Sequence, residues 1–429
     1  MPNTTRTNRA VPGDVTTNGF APFENDLRAA VQGVRGALAE MVAAVDVDAT
    51  RPQQMARDVG LDKSLSWKLS RILSDDDAVA TAMHLPGKAG IRIVLKSFEK
   101  AGASAASLDA LRAAVAAFDR VIETHCGDRE TLDLMLGHLR RDGNGQHDET
   151  QRKKSFQGNS AIWGVQARVH VAAHLVAPNA GDPEMIDYAI VSGLVDFRRL
   201  RNDVPWAVAS VRSYSDDGSP LPPEDFEPLD PSVAANEAPL LREFSTQPAP
   251  RFRITAGTAG TTRYEIAEGP VGKSGAITCL TGWASRHSHP RHRTEHDTFG
   301  EHLVNLITPA ELLVFDLFVH RALEFNLPPQ VMLYSQLPGG PVYPNTGREH
   351  GLLPLRETMI DLGAGRPDVI TPEIPRYHAL AEMAMRRLGG SPDDYQGYRL
   401  KMRYPPIPTL ALYRHVLPEP RSGKRRARA

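Results

Sequence analysis

The spacing of the apolar residues changes once along this chain, and that change fixes most of what it can fold into. Up to about residue 141 they recur every three or four positions. From Val165 they alternate: Val165, Ala167, Val169, Val171, Ala173 and Leu175 interleave with Gln166, Arg168, His170, Ala172 and His174. The first spacing belongs to helices and the second to a half-buried strand. The chain is therefore expected to be an α+β multidomain protein. An all-α domain over residues 23–141 precedes a mostly antiparallel α+β module over residues 160–420. Residues 142–159 are expected as a polar linker, 1–22 as a disordered N-terminus, 215–250 as an acidic Pro-rich loop and 421–429 as a basic tail.

Within the helical part, Leu27, Val31, Val34, Leu38, Met41 and Val45 step by four and three. Such a seam serves either a dimer or packing against neighbouring helices, and Gly33 and Gly36 weigh towards packing. Residues 50–73 follow, TRPQQMARDVGLDKSLSWKLSRIL. Thr50 and Gln53 have capping-box spacing, with Pro52 in the first turn. Met55, Ala56 and Val59 form a short apolar face, and Gly60 marks a turn. Asp62 or Ser64 opens a second helix with Leu65, Leu69, Ile72 and Leu73 inward. Lys63, Ser64, Trp67, Lys68 and Arg71 occupy its opposite face.

This stretch resembles the DNA-binding motif of bacterial helix-turn-helix transcriptional regulators. Ala56 stands where that family has a small residue at the helix crossing, Gly60 on its turn glycine, and Leu61 and Leu69 on core positions. One position departs, because Ser66 stands where an aliphatic residue is usual. The resemblance implies a helix-turn-helix domain that binds double-stranded DNA, with Lys63, Ser64, Trp67, Lys68 and Arg71 facing the major groove. Farther on, Lys88, Arg92, Lys96 and Lys100 recur every fourth residue, a stripe that suits either a phosphate backbone or open solvent. Ser74 is expected to cap a helix whose first turn holds Asp75, Asp76 and Asp77, pointing away from DNA.

Four constellations in the α+β part bear on chemistry. Arg168, His170 and His174 share one strand face and are candidate ligand-binding residues. The run from Arg286 to His302 holds His287, His289, His292, His296 and His302. Three interleaved arginines and Pro290 favour a charged loop there, leaving His287, His289 and His292 as weak metal candidates. Residues 269–275, GPVGKSG, end like a phosphate-binding loop, yet the first glycine is too close and a strand follows, so no nucleotide site is expected. Thr308, Pro309 and Glu311 read as the capped start of a helix over residues 309–325.

Composition excludes some classes. The net charge is −1, so no global field draws the chain to nucleic acid and any affinity must come from local patches. Two cysteines, Cys126 and Cys279, argue against a disulfide framework and fit a reducing cytoplasm. No apolar h-region stands near the N-terminus, and no apolar run is long enough for a bilayer. The expectation is a cytoplasmic, homodimeric transcriptional regulator that acts on double-stranded DNA and answers to a small-molecule effector, with no membrane partner, no cofactor and no catalytic residue. The alternatives are an enzyme or metal-binding protein with its site in the α+β module, and a scaffold that uses the helix pair for protein contact.

Overall fold

A computed structural model describes residues 23–139, 145–211, 226–234, 236–256, 262–295, 298–337 and 351–420. The expected N-terminal segment, the basic tail, His296, Asp297 and residues 215–225 and 235 of the expected acidic loop lie outside these residues. The chain divides into two compact units, Met1–His147 and Asp148–Ala429.

The first unit is helical: α1 Phe23–Ala44, α2 Pro52–Asp58, α3 Lys63–Ser74, α4 Ala78–His84, α5 Lys88–Lys100, α6 Ala105–His125 and α7 Arg129–Leu139. The seam of α1 is consumed inside this unit: Leu27, Val31, Val34, Leu38 and Met41 are all buried, and α1 packs chiefly on α6. An aspartate or serine starts several of these helices. Asp62 accepts from the Ser64 and Leu65 amides (2.8 and 2.9 Å), and Ser104 from that of Ser107 at 3.2 Å. Two expected caps are not formed. Thr50 turns its amide and hydroxyl to the Asp48 carboxylate, so α2 begins at Pro52 with no side-chain cap. Ser74 is the last residue of α3, and Asp77 caps α4 instead, its carboxylate accepting the amides of Val79 and Ala80.

The second unit opens within α8, Gly145–Trp163, where a linker was expected. Its sequence is polar all round and hides the helical period. Ion pairs hold it: Arg152 to Glu357 at 2.6 Å and Glu149 to Arg403 at 2.9 Å, with Phe156 against the Tyr404 ring.

The remaining elements are β1 Val165–Pro178, β2 Met185–Arg199, β3 Trp206–Val211, β4 Phe226–Pro228, β5 Phe252–Ala256, β6 Thr262–Ile266, β7 Ile277–Pro290, β8 Phe299–Leu306, β9 Ala310–His320, β10 Gln330–Ser335, β11 Leu352–Leu353, β12 Ile360–Ala364, α9 Tyr377–Arg387, β13 Tyr395–Arg403 and β14 Thr409–Val416. They form a seven-stranded sheet in the order β12-β13-β9-β1-β2-β7-β4, a four-stranded sheet β11-β10-β14-β8 and a three-stranded sheet β3-β6-β5. Every pairing among them is antiparallel except β1 with β9. One face of the large sheet packs on α9 through Val171, Val314, Leu380 and Ala384. The other meets the four-stranded sheet through Val176, Phe315, Leu400, Val304 and Tyr413. The fold is thus mixed α+β and mostly antiparallel.

Three expectations are corrected here. Residues 310–320 form a central strand, not a helix. AELLVFDLFVH is buried nearly throughout between β1 and β13, and Pro309 offers its carbonyl to the Ala167 amide (2.9 Å) instead of opening a helix. β1 is likewise buried on both faces from Val169 onward, because a sheet covers one side and α9 the other. The later part of the acidic loop is not a linker: β4 pairs with β7, and Leu229, Val233, Leu240 and Leu241 are buried.

Two further observations bear on composition. Cys126 and Cys279 are free thiols, and burial pushes the Cys279 thiol up to about 12. Among the described residues, no helix is long and apolar enough to cross a membrane.

Candidate functional site

In the first unit, α2 and α3 are joined by a tight turn over residues 59–62. Gly60 takes φ +66°, a conformation that costs least without a Cβ, and the Leu61 amide reaches back to the Ala56 carbonyl at 2.9 Å. Leu65, Leu69 and Ile72 anchor α3 in the core. Ser66 is fully buried at the position usually aliphatic, and its hydroxyl donates to the Lys63 carbonyl, so α3 keeps its orientation at no cost in unpaired polarity.

That anchoring leaves Lys63, Ser64, Trp67 and Arg71 exposed, with Lys68 half-buried. The Trp67 ring is 45 % exposed, stands edge-on to His84 of α4 at 5.3 Å and carries the Arg71 guanidinium over its face at 5.4 Å. A broad groove runs between the two helices, lined by Arg51, Gln53, Gln54 and Arg57 on one side and Lys63, Ser64 and Trp67 on the other. Of these, Arg51, Gln54 and Arg57 were not singled out from sequence. A basic residue on the shorter helix of a helix pair was the available signal.

On α5, Lys88, Arg92, Lys96 and Lys100 are all exposed. The three aspartates beside α3 are occupied elsewhere: Asp76 pairs with Arg35 at 3.0 Å, while Asp75 and Asp77 accept backbone amides.

The second unit gathers histidines, though not those that crowd the sequence. His287 reaches Asp182 at 3.2 Å, His289 is exposed on β7, and His292 Nδ1 lies 3.0 Å from the Glu184 carboxylate. Part of the expected loop is strand, because β7 runs on through Pro290. Among the described residues, no three or more His, Cys, Asp or Glu side chains are disposed to hold a metal ion.

His302 from β8 instead turns between the sheets. Its Nε2 faces that of His415 at 3.4 Å, with the two ring planes 20° from parallel and their centroids 5.5 Å apart. His174 from β1 meets His302 edge-on at 5.9 Å, and Phe325 stacks on His415 at 4.4 Å. Gly300 makes room: a Cβ there would lie 2.4 Å from the His415 ring. Burial lowers His174 and His415 to about 4 and holds His302 well below the usual imidazole range.

Arg168, His170 and His174 share a strand face but have separate surroundings. Arg168 binds Asp196 at 2.6 Å, and Asp196 adopts φ +50° beside a bulge. His170 is buried, also lowered to about 4, and its Nδ1 has no hydrogen-bond partner among the described residues. Sequence reasoning missed His415 and the buried network in which Arg399 forks onto Asp316 (2.8 and 2.7 Å) and Tyr377 donates to the same carboxylate. Asp316 did interrupt an apolar run, and a lone charge in a core strand demands a partner.

In the loop of residues 269–275, Gly272 donates its amide to the Arg199 carbonyl and Gly275 to that of Gly272, and the Ala276 amide after it donates to the Lys273 carbonyl.

Comparison of the chain with protein-family models, curated proteins and solved structures finds no match.

Proposed function

We propose that this chain is a cytoplasmic transcriptional regulator that binds double-stranded DNA through α2 and α3, acting as a helix-turn-helix, with the α+β unit serving sensing or assembly. The observation that carries this reading is the α3 face. Lys63, Ser64, Trp67 and Arg71 project from a helix whose other side is locked in the core. An exposed Lys-Ser-Trp-Arg face supplies donors for base edges and a ring for a thymine methyl. Arg51, at the N-cap of α2, and Arg57 on α2 flank it as phosphate contacts, the part the first helix of such a motif plays. Lys88, Arg92 and Lys96 on α5 extend the cationic surface.

The test is selection of binding sequences from random duplexes, followed by gel-shift titration at fixed salt. Lys63→Ala, Trp67→Ala and Arg71→Ala should each weaken the selected site by roughly 1–3 kcal/mol while leaving nonspecific duplex nearly unaffected. Absence of any enriched sequence, or equal loss on specific and nonspecific DNA, overturns the reading.

A further inference from the structure

The helical unit contains a cavity of about 300 Å³, at the lower end of the range for small-molecule sites. Its walls are apolar: Val34 from α1, Leu85 from the α4–α5 connection, Ile91 from α5, and Val115, Phe118 and Ile122 from α6. The polar groups at its edge divide unequally. Arg129 is committed, donating to the Ala82 and Leu85 carbonyls (3.2 and 2.8 Å) with its guanidinium over the Phe118 ring. Asp128 is committed too, accepting the Thr131 amide at the start of α7 (2.7 Å). Lys88 is exposed on the α5 stripe.

Asp119 and Glu123 remain, one turn apart on α6, neither in an ion pair with another described residue; Asp119 feels Arg129 only at longer range. An apolar pocket edged by the half-buried Asp119 and the exposed Glu123 favours a cation with an apolar body over an anion of the same shape.

The walls also touch α3. Leu85 and Pro86 directly follow His84, which holds Trp67 edge-on. Gly90 is pinched between Pro86 and Leu65 of α3: a Cβ there would stand 2.8 Å from the Pro86 Cβ and 3.3 Å from the Leu65 Cδ2. A displacement of the α4–α5 connection therefore presses on both faces of α3.

We propose that this cavity binds a small lipophilic ammonium ion, and that occupancy shifts α3 and so alters DNA affinity; the second half rests on the DNA-binding reading above. The probe is benzyltrimethylammonium, with phenylacetate and benzyl alcohol as charge controls at constant ionic strength. Calorimetric titration of the full chain should show one saturable site for the ammonium ion and weaker or no binding of both controls. Asp119→Asn with Glu123→Gln should weaken that binding about tenfold, a change of about 1.4 kcal/mol. Val115→Phe should fill the cavity and abolish it; should that variant not fold, the two surface substitutions carry the test. No saturable binding, phenylacetate bound as tightly, or an unchanged affinity in the double variant overturns the site.

The DNA arm is separate. Saturating ammonium ion should change the DNA dissociation constant by about threefold or more, with the reciprocal effect of DNA on the ammonium ion. An unchanged constant overturns the coupling. Ammonium binding by a chain that selects no DNA sequence retires the DNA reading and leaves the pocket standing.

Discussion

An imidazole that must stay neutral makes a protein sensitive to acid. His170, His174 and His415 lie at about 4, below the usual 6.5, because burial disfavours their charged form, and His302 moves the same way. Between those two values the unfolded chain binds protons that the folded unit refuses. Their contribution to stability is therefore complete above about pH 6.5 and is lost as pH falls towards 4. Each histidine is worth up to roughly 3 kcal/mol across that window, and the three that touch titrate together and do not add. Urea midpoints of the second unit should fall steeply between pH 6.5 and 4. His415→Phe, which keeps a ring against Phe325, should flatten that slope; an identical slope would remove the histidine cluster as its source. Residue identity alone placed the dense histidine run at 287–302 in view. It hid His415, because only the pairing of β14 with β8 brings that ring to His302.

At the scale of elements, what was legible depended on whether burial was one-sided. The α1 seam and the inward face of α3 stood out because one side of each helix is wet. The expected half-buried β1 and the expected helix at 309–325 failed for one shared reason: both are central strands covered on both faces, where alternation loses its meaning and a Thr-Pro-x-Glu sequence can mimic a helix start. The α8 helix was illegible because its partners, Glu357 and Arg403, are distant in sequence. The α5 stripe was legible, and its use is testable. If Lys88 and Lys96 contact phosphates, replacing both by Ala should reduce the slope of log affinity against log salt by roughly two, with sequence preference unchanged. A slope that does not move would make the stripe a solvated face.

For the whole molecule, the proposal of a homodimer meets a constraint. The heptad seam that offered a two-fold contact is spent in the core of its own unit, so a dimer must use another surface. Light scattering should give twice the 46.9 kDa chain mass. Leu38→Ala should cost about 2–5 kcal/mol of stability, as a buried leucine does, without changing that mass. Dissociation to monomers by Leu38→Ala at unchanged stability would return the seam to an interface.

The parallel pairing of β1 with β9 has a consequence in time. Val171 and Val314 are neighbours in the finished sheet, yet about half of the second unit is synthesised between them. As the chain leaves the ribosome, β1 waits with an apolar edge uncovered until β9 emerges, whereas the helical unit draws on nearby contacts and completes itself early. Birth of this protein is thus asymmetric: its first third can be at work on its own fold while the central strand of the remainder still waits for its neighbour.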